Sequence, residues 1–303
     1  MDGVIVIDKP QDFTSFDVVA VMRRLCGQKK IGHTGTLDPM ATGVLPLLLG
    51  KATRAAPFLE DTSKEYEAGF RLGCSTDTQD ITGEIRKESS LPVTRAQLEA
   101  VLPAFRGEIF QMPPMYSAVQ KNGRRLYTLA RQGIEVERDL RPVTIYKLEL
   151  KEYDEAARSG SLVIRCSKGT YIRTICADIG ERLGAFGVMS SLRRTAAAGF
   201  CLSDSVTLEQ ARALSEQGML AQRVLPTEHL FLGCPALRVS PAQARRFCNG
   251  GGLSLDRTEI PLRDKKDGAV FRVLSSDSEF LGLGAVSLAN AELGVLRLFC
   301  TGE

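Results

Sequence analysis

The twelve residues Gly32-His33-Thr34-Gly35-Thr36-Leu37-Asp38-Pro39-Met40-Ala41-Thr42-Gly43 form the densest polar segment of the chain. Three glycines allow it backbone angles that other residues avoid. Pro39 confines Asp38 to extended angles and so narrows the direction in which the carboxylate leaves the backbone. A carboxylate aimed by a stiff loop, with a histidine five residues before it, can serve as a base, a nucleophile or an electrostatic stabiliser. The same residues could also make a surface Asp-Pro turn with threonine caps. The loop alone does not decide between the two.

Other chemistries fit poorly. The stretch from Gly43 to Gly50-Lys51-Ala52 resembles a phosphate-binding loop, but six residues separate its glycines instead of four. Ala52 also stands where a Ser or Thr would hold magnesium, which argues against a nucleoside triphosphatase. The eight cysteines, at 26, 74, 166, 176, 201, 234, 248 and 300, include no pair within five residues. There is thus no Cys-x-x-Cys knuckle, and His33 and His229 are too few for a His-rich metal site. No nucleophile-elbow pattern surrounds any serine. The cysteines read as small, buried, apolar residues of a chain kept reduced.

The elements that must position the loop follow from periodicity. Gly3–Ile7 reads as a strand, and a helix capped by Thr14 or Ser15 follows, with Val18, Met22 and Leu25 on one face and Gly27 as its stop. Lys64–Leu72 alternates as a strand does. Helices are expected over Thr94–Leu102, Arg124–Gln132, Tyr171–Leu183 and Thr207–Gln217, and strands over Val143–Leu150 and Leu162–Cys166. Strands and helices mix without a regular βαβ beat, which predicts an α+β fold with a mixed, mainly antiparallel sheet flanked by helices. Past Gly233-Cys-Pro235 the chain turns glycine-rich, with strand-like Ala269–Leu274 and Gly294–Phe299, so a small β-rich C-terminal domain is expected over residues 234–303, after a main domain over 1–233.

Length and charge set the remaining bounds. At 303 residues, 44% hydrophobic and 25% charged, the chain is long enough for two domains, or one large and one small. Its longest apolar run, Val44–Leu49, is far too short to span a bilayer, and no basic segment precedes the run Val4–Ile7, so a cytoplasmic protein is expected. The net charge is only +3, yet residues 120–142 alone hold six basic residues against three acids. That stretch could be a solvated face or a phosphate-contacting arm.

The loop does not stand alone. Gly32-His-Thr-Gly-Thr-Leu-Asp-Pro39 with Ala41-Thr-Gly-Val-Leu45 resembles the catalytic-loop signature of the TruB-type tRNA pseudouridine synthases. Further segments agree in order: Asp8-Lys-Pro10 with Thr14-Ser15, Lys64-Glu-Tyr66, Leu72-Gly73, Thr76-Asp-Thr-Gln-Asp-Ile-Thr-Gly83, Gln111-Met-Pro-Pro-Met-Tyr-Ser-Ala118, Ala130-Arg-Gln-Gly133, Ser167-Lys-Gly-Thr-Tyr-Ile-Arg173 and Leu192-Arg-Arg-Thr195. The resemblance covers about residues 3–235. One position departs from the family pattern: Asp12 stands where the family usually has Gly, and Asp tolerates left-handed angles better than most residues.

The resemblance implies the pseudouridine-synthase fold and the conversion of uridine-55 in the TΨC loop of tRNA to pseudouridine. An isomerisation of this kind needs no metal, nucleotide or redox cofactor. It places Asp38 as the catalytic carboxylate, Arg173 as the cation able to grip it bidentately, and Tyr66 as the ring that stacks on a flipped-out uracil and is suggested to take the C5 proton. His33, Tyr171 and Leu192 match substrate-pocket positions. Lys9 and Pro10 are expected to support the loop, and Asp80 to brace the Thr76–Gly83 turn. Residues 112–142 match a thumb-like insertion that closes on RNA through Lys121, Arg124, Arg125 and Arg131, and the C-terminal part loosely resembles a PUA-like RNA-binding domain. The expected partner is the TΨC stem-loop of tRNA, bound by a monomer away from any membrane. Two rivals stand beside this reading: an RNA-binding module or tRNA-folding chaperone with little turnover, and a glycosidase using Asp38 and Asp80 as a carboxylate pair.

Overall fold

The computed structural model describes residues 1–59 and 62–300. A nine-stranded sheet forms its centre. Along its main path the strands run Gly3–Lys9, Thr42–Leu49, Gly187–Ala197, Lys64–Leu72, Ser159–Cys166, Arg141–Asp154 and Gly107–Gln111. All neighbours on this path are antiparallel except Gly187–Ala197 on Thr42–Leu49. The mainly antiparallel α+β architecture follows the alternation in the sequence. Lys64–Leu72, for example, buries Tyr66, Ala68, Phe70 and Leu72 on one face.

The one parallel join matters for the site. It comprises only Arg193 opposite Thr42 and Arg194 opposite Gly43. Gly43 has φ +104°, and a Cβ there would sit on the Arg194 backbone. Only glycine lets the strand leaving the polar loop approach the central strand this closely.

Helix Ser15–Leu25 is capped by Thr14 in a reciprocal box with Asp17. Helix Ile172–Arg182, which carries Arg173, starts at Tyr171 and lies on the sheet. Both helices end near glycines with positive φ, Gly27 and Gly184. Within the second helix, burial, with Glu181 adding to it, pushes the Asp178 carboxyl up to about 6 from 3.8. Between those two values the folded chain holds a proton that the unfolded chain has lost, so stability falls as pH rises through the window. Asp178→Asn is therefore expected to raise the melting temperature at pH 7, by about 2–4 °C for each kcal/mol recovered, and to give no gain at pH 4. An unchanged melting temperature at pH 7 would contradict that assignment.

The basic segment departs from the sequence expectation. Instead of one helix over 124–132, a hairpin pairs Gln120–Lys121 with Arg124–Arg125, and a short helix, Leu126–Ala130, follows. Asn122 and Gly123, at φ 52° and 76°, make the two-residue turn that this dipeptide favours.

A second sheet of five strands is built from Ala236–Arg238, Val270–Leu274, Phe280–Ser287, Glu292–Leu298 and Leu253–Ser254, with helix Pro241–Cys248 beside it. It has its own core around Phe247, Val273 and Leu293. A separate cluster joins the two sheets: Val4, Val44 and Leu48 from the large one meet Leu283 and Phe299 from the small one around Phe231. Rings of Phe231, Phe280 and Phe299 lie 5.4–6.1 Å apart there. The Arg272–Glu228 ion pair at 2.5 Å also crosses this seam.

Candidate active site

The polar loop connects strand Ile31–His33 to strand Thr42–Leu49 and is pinned almost residue by residue. Arg194 donates from Nη2 to the Gly35 carbonyl at 3.1 Å, from Nη1 to Thr36 at 3.4 Å and from Nε to Val44 at 2.7 Å. The Leu37 N–H donates to the Ser15 hydroxyl at 2.8 Å. The Pro39 carbonyl accepts from the Asp12 N–H at 2.9 Å and from Lys9 Nζ at 3.2 Å. Asp12 sits at φ 64°, so the left-handed turn survives without the family's usual glycine. Between these anchors the Asp38 side chain projects, 39% exposed, into the open.

Its cationic neighbour is Arg173, whose side chain is only 8% exposed. Arg173 Nη2 lies 3.2 Å from Asp38 Oδ2 and donates to the Tyr116 carbonyl at 2.8 Å, while Nη1 lies 3.9 Å from Asp80 Oδ2. The expected bidentate grip is therefore shared out: one arm serves Asp38 and the other faces Asp80. Asp80 is buried, and its Oδ1 accepts from the Thr78 hydroxyl and from both the hydroxyl and N–H of Thr82. It braces the Thr76–Gly83 turn and the guanidinium together. With Arg173 between them, the two carboxylates do not flank an open gap for a sugar and a water, which disfavours the paired-carboxylate glycosidase.

Tyr66 is buried on the strand beside Arg194, directly opposite it in register. Burial pushes its phenol up to about 12, and the Asp38 carboxylate adds to the rise while the Arg194 guanidinium opposes it. Leu192 is buried on the same central strand, opposite Ala68. Tyr171 caps the Arg173 helix, and its backbone N–H and carbonyl are both held by the buried Gln111 side chain, at 2.9 and 3.0 Å. His33 is half-buried beside the loop, with Nδ1 lacking a partner among the described residues, and burial followed by Arg194 pushes its pKa below the usual value. At neutral pH it therefore presents a neutral imidazole. Lys9 is fully buried, and desolvation brings its amine down to about 8.

The four basic residues expected to contact RNA lie on or just after the hairpin and short helix. Arg124, Arg125 and Arg131 are exposed, whereas Lys121 donates to the Glu137 carbonyl. Arg125 and Arg131 lie over the Tyr127 ring at 6.0 and 5.6 Å. Among the described residues no three His, Cys, Asp or Glu side chains come together as a metal site.

Sequence reasoning missed Arg194, the most consequential buried polar residue. It has no exposed surface, and no ion pair holds it among the described residues. Its segment, Leu192-Arg-Arg-Thr195, was part of the family pattern, but nothing in the pattern says which arginine turns inward. Ser15 was read only as a cap, whereas Thr14 caps and Ser15 holds the loop.

Family models match this chain in two consecutive pieces: the N-terminal domain of the TruB family pseudouridylate synthases over residues 23–172, and the C-terminal domain of tRNA pseudouridylate synthase B over residues 173–232. A tRNA pseudouridine synthase B of Geobacillus thermodenitrificans is 47% identical over 261 residues, which span 84% of this chain and 86% of the relative. One of Pseudomonas fluorescens is 43% identical over 291 residues, spanning 95% and 92%. Among solved structures, a chain of a Cbf5-Nop10-Gar1 complex superposes with a TM-score of 0.74 at 27% identity, covering 98% of this chain and 85% of that one.

Proposed function

We propose, because this chain belongs to the TruB family of pseudouridylate synthases, that it isomerises uridine to pseudouridine in tRNA, at position 55 of the TΨC loop, with Asp38 as the catalytic carboxylate. The observation that carries the assignment is the Asp38–Arg173 contact at 3.2 Å on a loop anchored on both sides of Asp38. A module that only bound RNA would have no use for a carboxylate held out at this position, since it repels phosphate.

The residues divide the work. The target base must leave its loop, and Tyr66 offers the face on which a flipped uracil stacks, an interaction worth about 1–3 kcal/mol. Leu192 and Tyr171 line the pocket, and neutral His33 touches the flipped region. Asp38 then meets the sugar as the C1′–N1 bond breaks. The uracil turns, C1′–C5 forms, and the proton lost from C5 is balanced by one gained at N1. A Tyr66 that accepts the C5 proton must first give up its own, and Arg194 is the cation that opposes burial there.

The hairpin–helix segment within residues 112–142 serves as the thumb, and Lys121, Arg124, Arg125 and Arg131 contact phosphates. The domain proposed over residues 234–303, which carries the small sheet, is an RNA-binding domain of PUA-like kind. The enzyme works in the cytoplasm as a monomer, without a cofactor. The test is incubation with an unmodified tRNA transcript, followed by intact-mass measurement of the RNA and, after carbodiimide labelling specific for pseudouridine, nuclease digestion and mass spectrometry of the fragments. Pseudouridine at position 55 with unchanged RNA mass is expected, whereas free uracil and an abasic site would overturn the reading in favour of a glycosidase. Arg124→Gln with Arg125→Gln is expected to weaken tRNA binding and flatten the log K against log salt slope by about 1–2. An unchanged slope would make that face merely solvated.

A further inference from the structure

Of the eight cysteines, Cys166, Cys176 and Cys234 are buried, and Cys201 is exposed beside Ser203 and Asp204. Two others meet. Cys248 is the last residue of helix Pro241–Cys248, and Cys300 lies just past strand Glu292–Leu298, 52 residues further along the chain. The fold brings them together because both pack against the core around Phe247, Val273 and Leu293. The Cys300 thiol donates to Cys248 Sγ at 2.7 Å. Even carbon atoms in contact stand about 3.5–4.0 Å apart, and a disulfide bond spans about 2.0 Å, so the two sulfurs are less than about 1 Å from bonding distance. Neither residue is fully buried, so a small oxidant can reach the pair.

The place of the pair gives a bond there a consequence. Phe299, the residue before Cys300, is one of the three rings in the seam between the two sheets. The N–H groups of Phe299 and Cys300 share one acceptor, the Leu281 carbonyl, at 2.9 and 3.1 Å. A covalent tie at Cys300 would fix the segment that carries this ring. The two sulfurs also differ. Burial, and then Cys248, pushes the Cys300 thiol up to about 12, so it stays protonated at neutral pH. Cys248 accepts, and the exposed Arg245 and Arg246 in its own helix turn supply positive charge beside it. Cys248 is therefore the sulfur that meets the oxidant, and Cys300 the one that closes the bond.

We propose that Cys248 and Cys300 are a peroxide-responsive modification site, forming a reversible disulfide that staples the end of strand Glu292–Leu298 to helix Pro241–Cys248. The peroxide O–O bond breaks as Cys248 Sγ takes one oxygen to become a sulfenic acid, and the other oxygen leaves as water. Cys300 Sγ then attacks the sulfenic sulfur, the S–O bond breaks, and the hydroxyl departs with the Cys300 proton as a second water. The peroxide gains the two electrons that the thiols lose. A dithiol reopens the bond by exchange, so the staple is of the transient kind that a reducing compartment permits. None of the residues assigned to uridine isomerisation takes part, so the proposal stands or falls apart from that function.

The test treats the fully reduced chain with a small excess of hydrogen peroxide and follows intact mass, tryptic peptides and thermal melting. The mass is expected to fall by about 2 Da, with residues 247–257 and 298–303 recovered as one joined peptide that dithiothreitol separates. The melting temperature is expected to rise by about 5 °C or more, because closing a loop of this length restricts the unfolded chain. Cys248→Ser and Cys300→Ser are each expected to lose all three responses, and Cys201→Ser to keep them. A gain of about 16 or 32 Da on single cysteines without a joined peptide would overturn the proposal. So would joining of either peptide to a different cysteine, or a joined peptide that leaves the melting temperature unchanged.

Discussion

Asp38→Asn is expected to reduce pseudouridine formation to below about one-thousandth of wild type, equivalent to roughly 4 kcal/mol of barrier, while the Kd for tRNA stays within about threefold. The amide is nearly the shape of the carboxylate, so the loop and its anchors at Gly35, Thr36, Leu37 and Pro39 have no reason to move. What is lost is the charge proposed to meet the sugar as C1′–N1 breaks. Binding survives because Asp38 is an anion among phosphates and contributes nothing favourable to capture. Arg173 loses one partner but keeps the Tyr116 carbonyl and the Asp80 side. The measurement is single-turnover conversion with enzyme in excess, alongside filter binding. Conversion retained to within tenfold would remove Asp38 from the chemistry and leave the anchored shape of the loop without its assigned purpose. Loss of binding in parallel would instead make Asp38 a structural residue.

The residues proposed to touch the reaction were assigned through a family resemblance, and that resemblance is carried by short stiff motifs. Glycines and Pro39 fix the backbone of the Asp38 loop locally, so its neighbours in sequence are also its neighbours in space. Tyr66 was readable as one tooth of an alternating strand. The supporting residues were not legible in the same way. Arg194 meets the loop across about 150 residues of sequence, through a strand whose Ser, Arg and Ala content gives little β signal, so the strand Gly187–Ala197 itself went unread. Gly107–Gln111 and the glycine-rich Phe280–Ser287 were missed for a related reason: their pairing, more than their propensity, makes them strands. Helix Pro241–Cys248 was different, because its signals were present: a Ser240 cap, proline at the first turn and Gln243 closing the box. The single helix expected over 124–132 overlooked the Asn122-Gly123 turn. Local chemistry announces itself in sequence, whereas a buried cation holding distant carbonyls emerges only from the sheet order.

Arg194 supports the sharpest consequence of that order. Arg194→Lys is expected to slow single-turnover conversion by at least about 100-fold with little change in tRNA affinity and a melting temperature lower by a few degrees. The charge is kept, so the reason lies in shape. A guanidinium presents donors in a rigid fork, and here that fork spans Val44 on one side of Asp38 and Gly35 and Thr36 on the other. A lysine amine sits on a flexible stem and cannot hold carbonyls in both directions at once. The buried Val44 carbonyl left without its donor costs about 1–3 kcal/mol, so the loop relaxes toward whatever donors it can find. A shift of about 1 Å at the Asp38 carboxylate suffices for a 100-fold loss, because the reacting atoms must already be aligned when the base arrives. Tyr66 loses the guanidinium's hydrogen bond in the same step, while the positive charge that opposes the rise of its phenol stays. Affinity is spared because Arg194 is fully buried and reaches no phosphate. A variant turning over within threefold of wild type would show that Ser15, Asp12 and Lys9 hold the loop unaided. A variant that loses tRNA binding and turnover together would make Arg194 a residue of the fold alone.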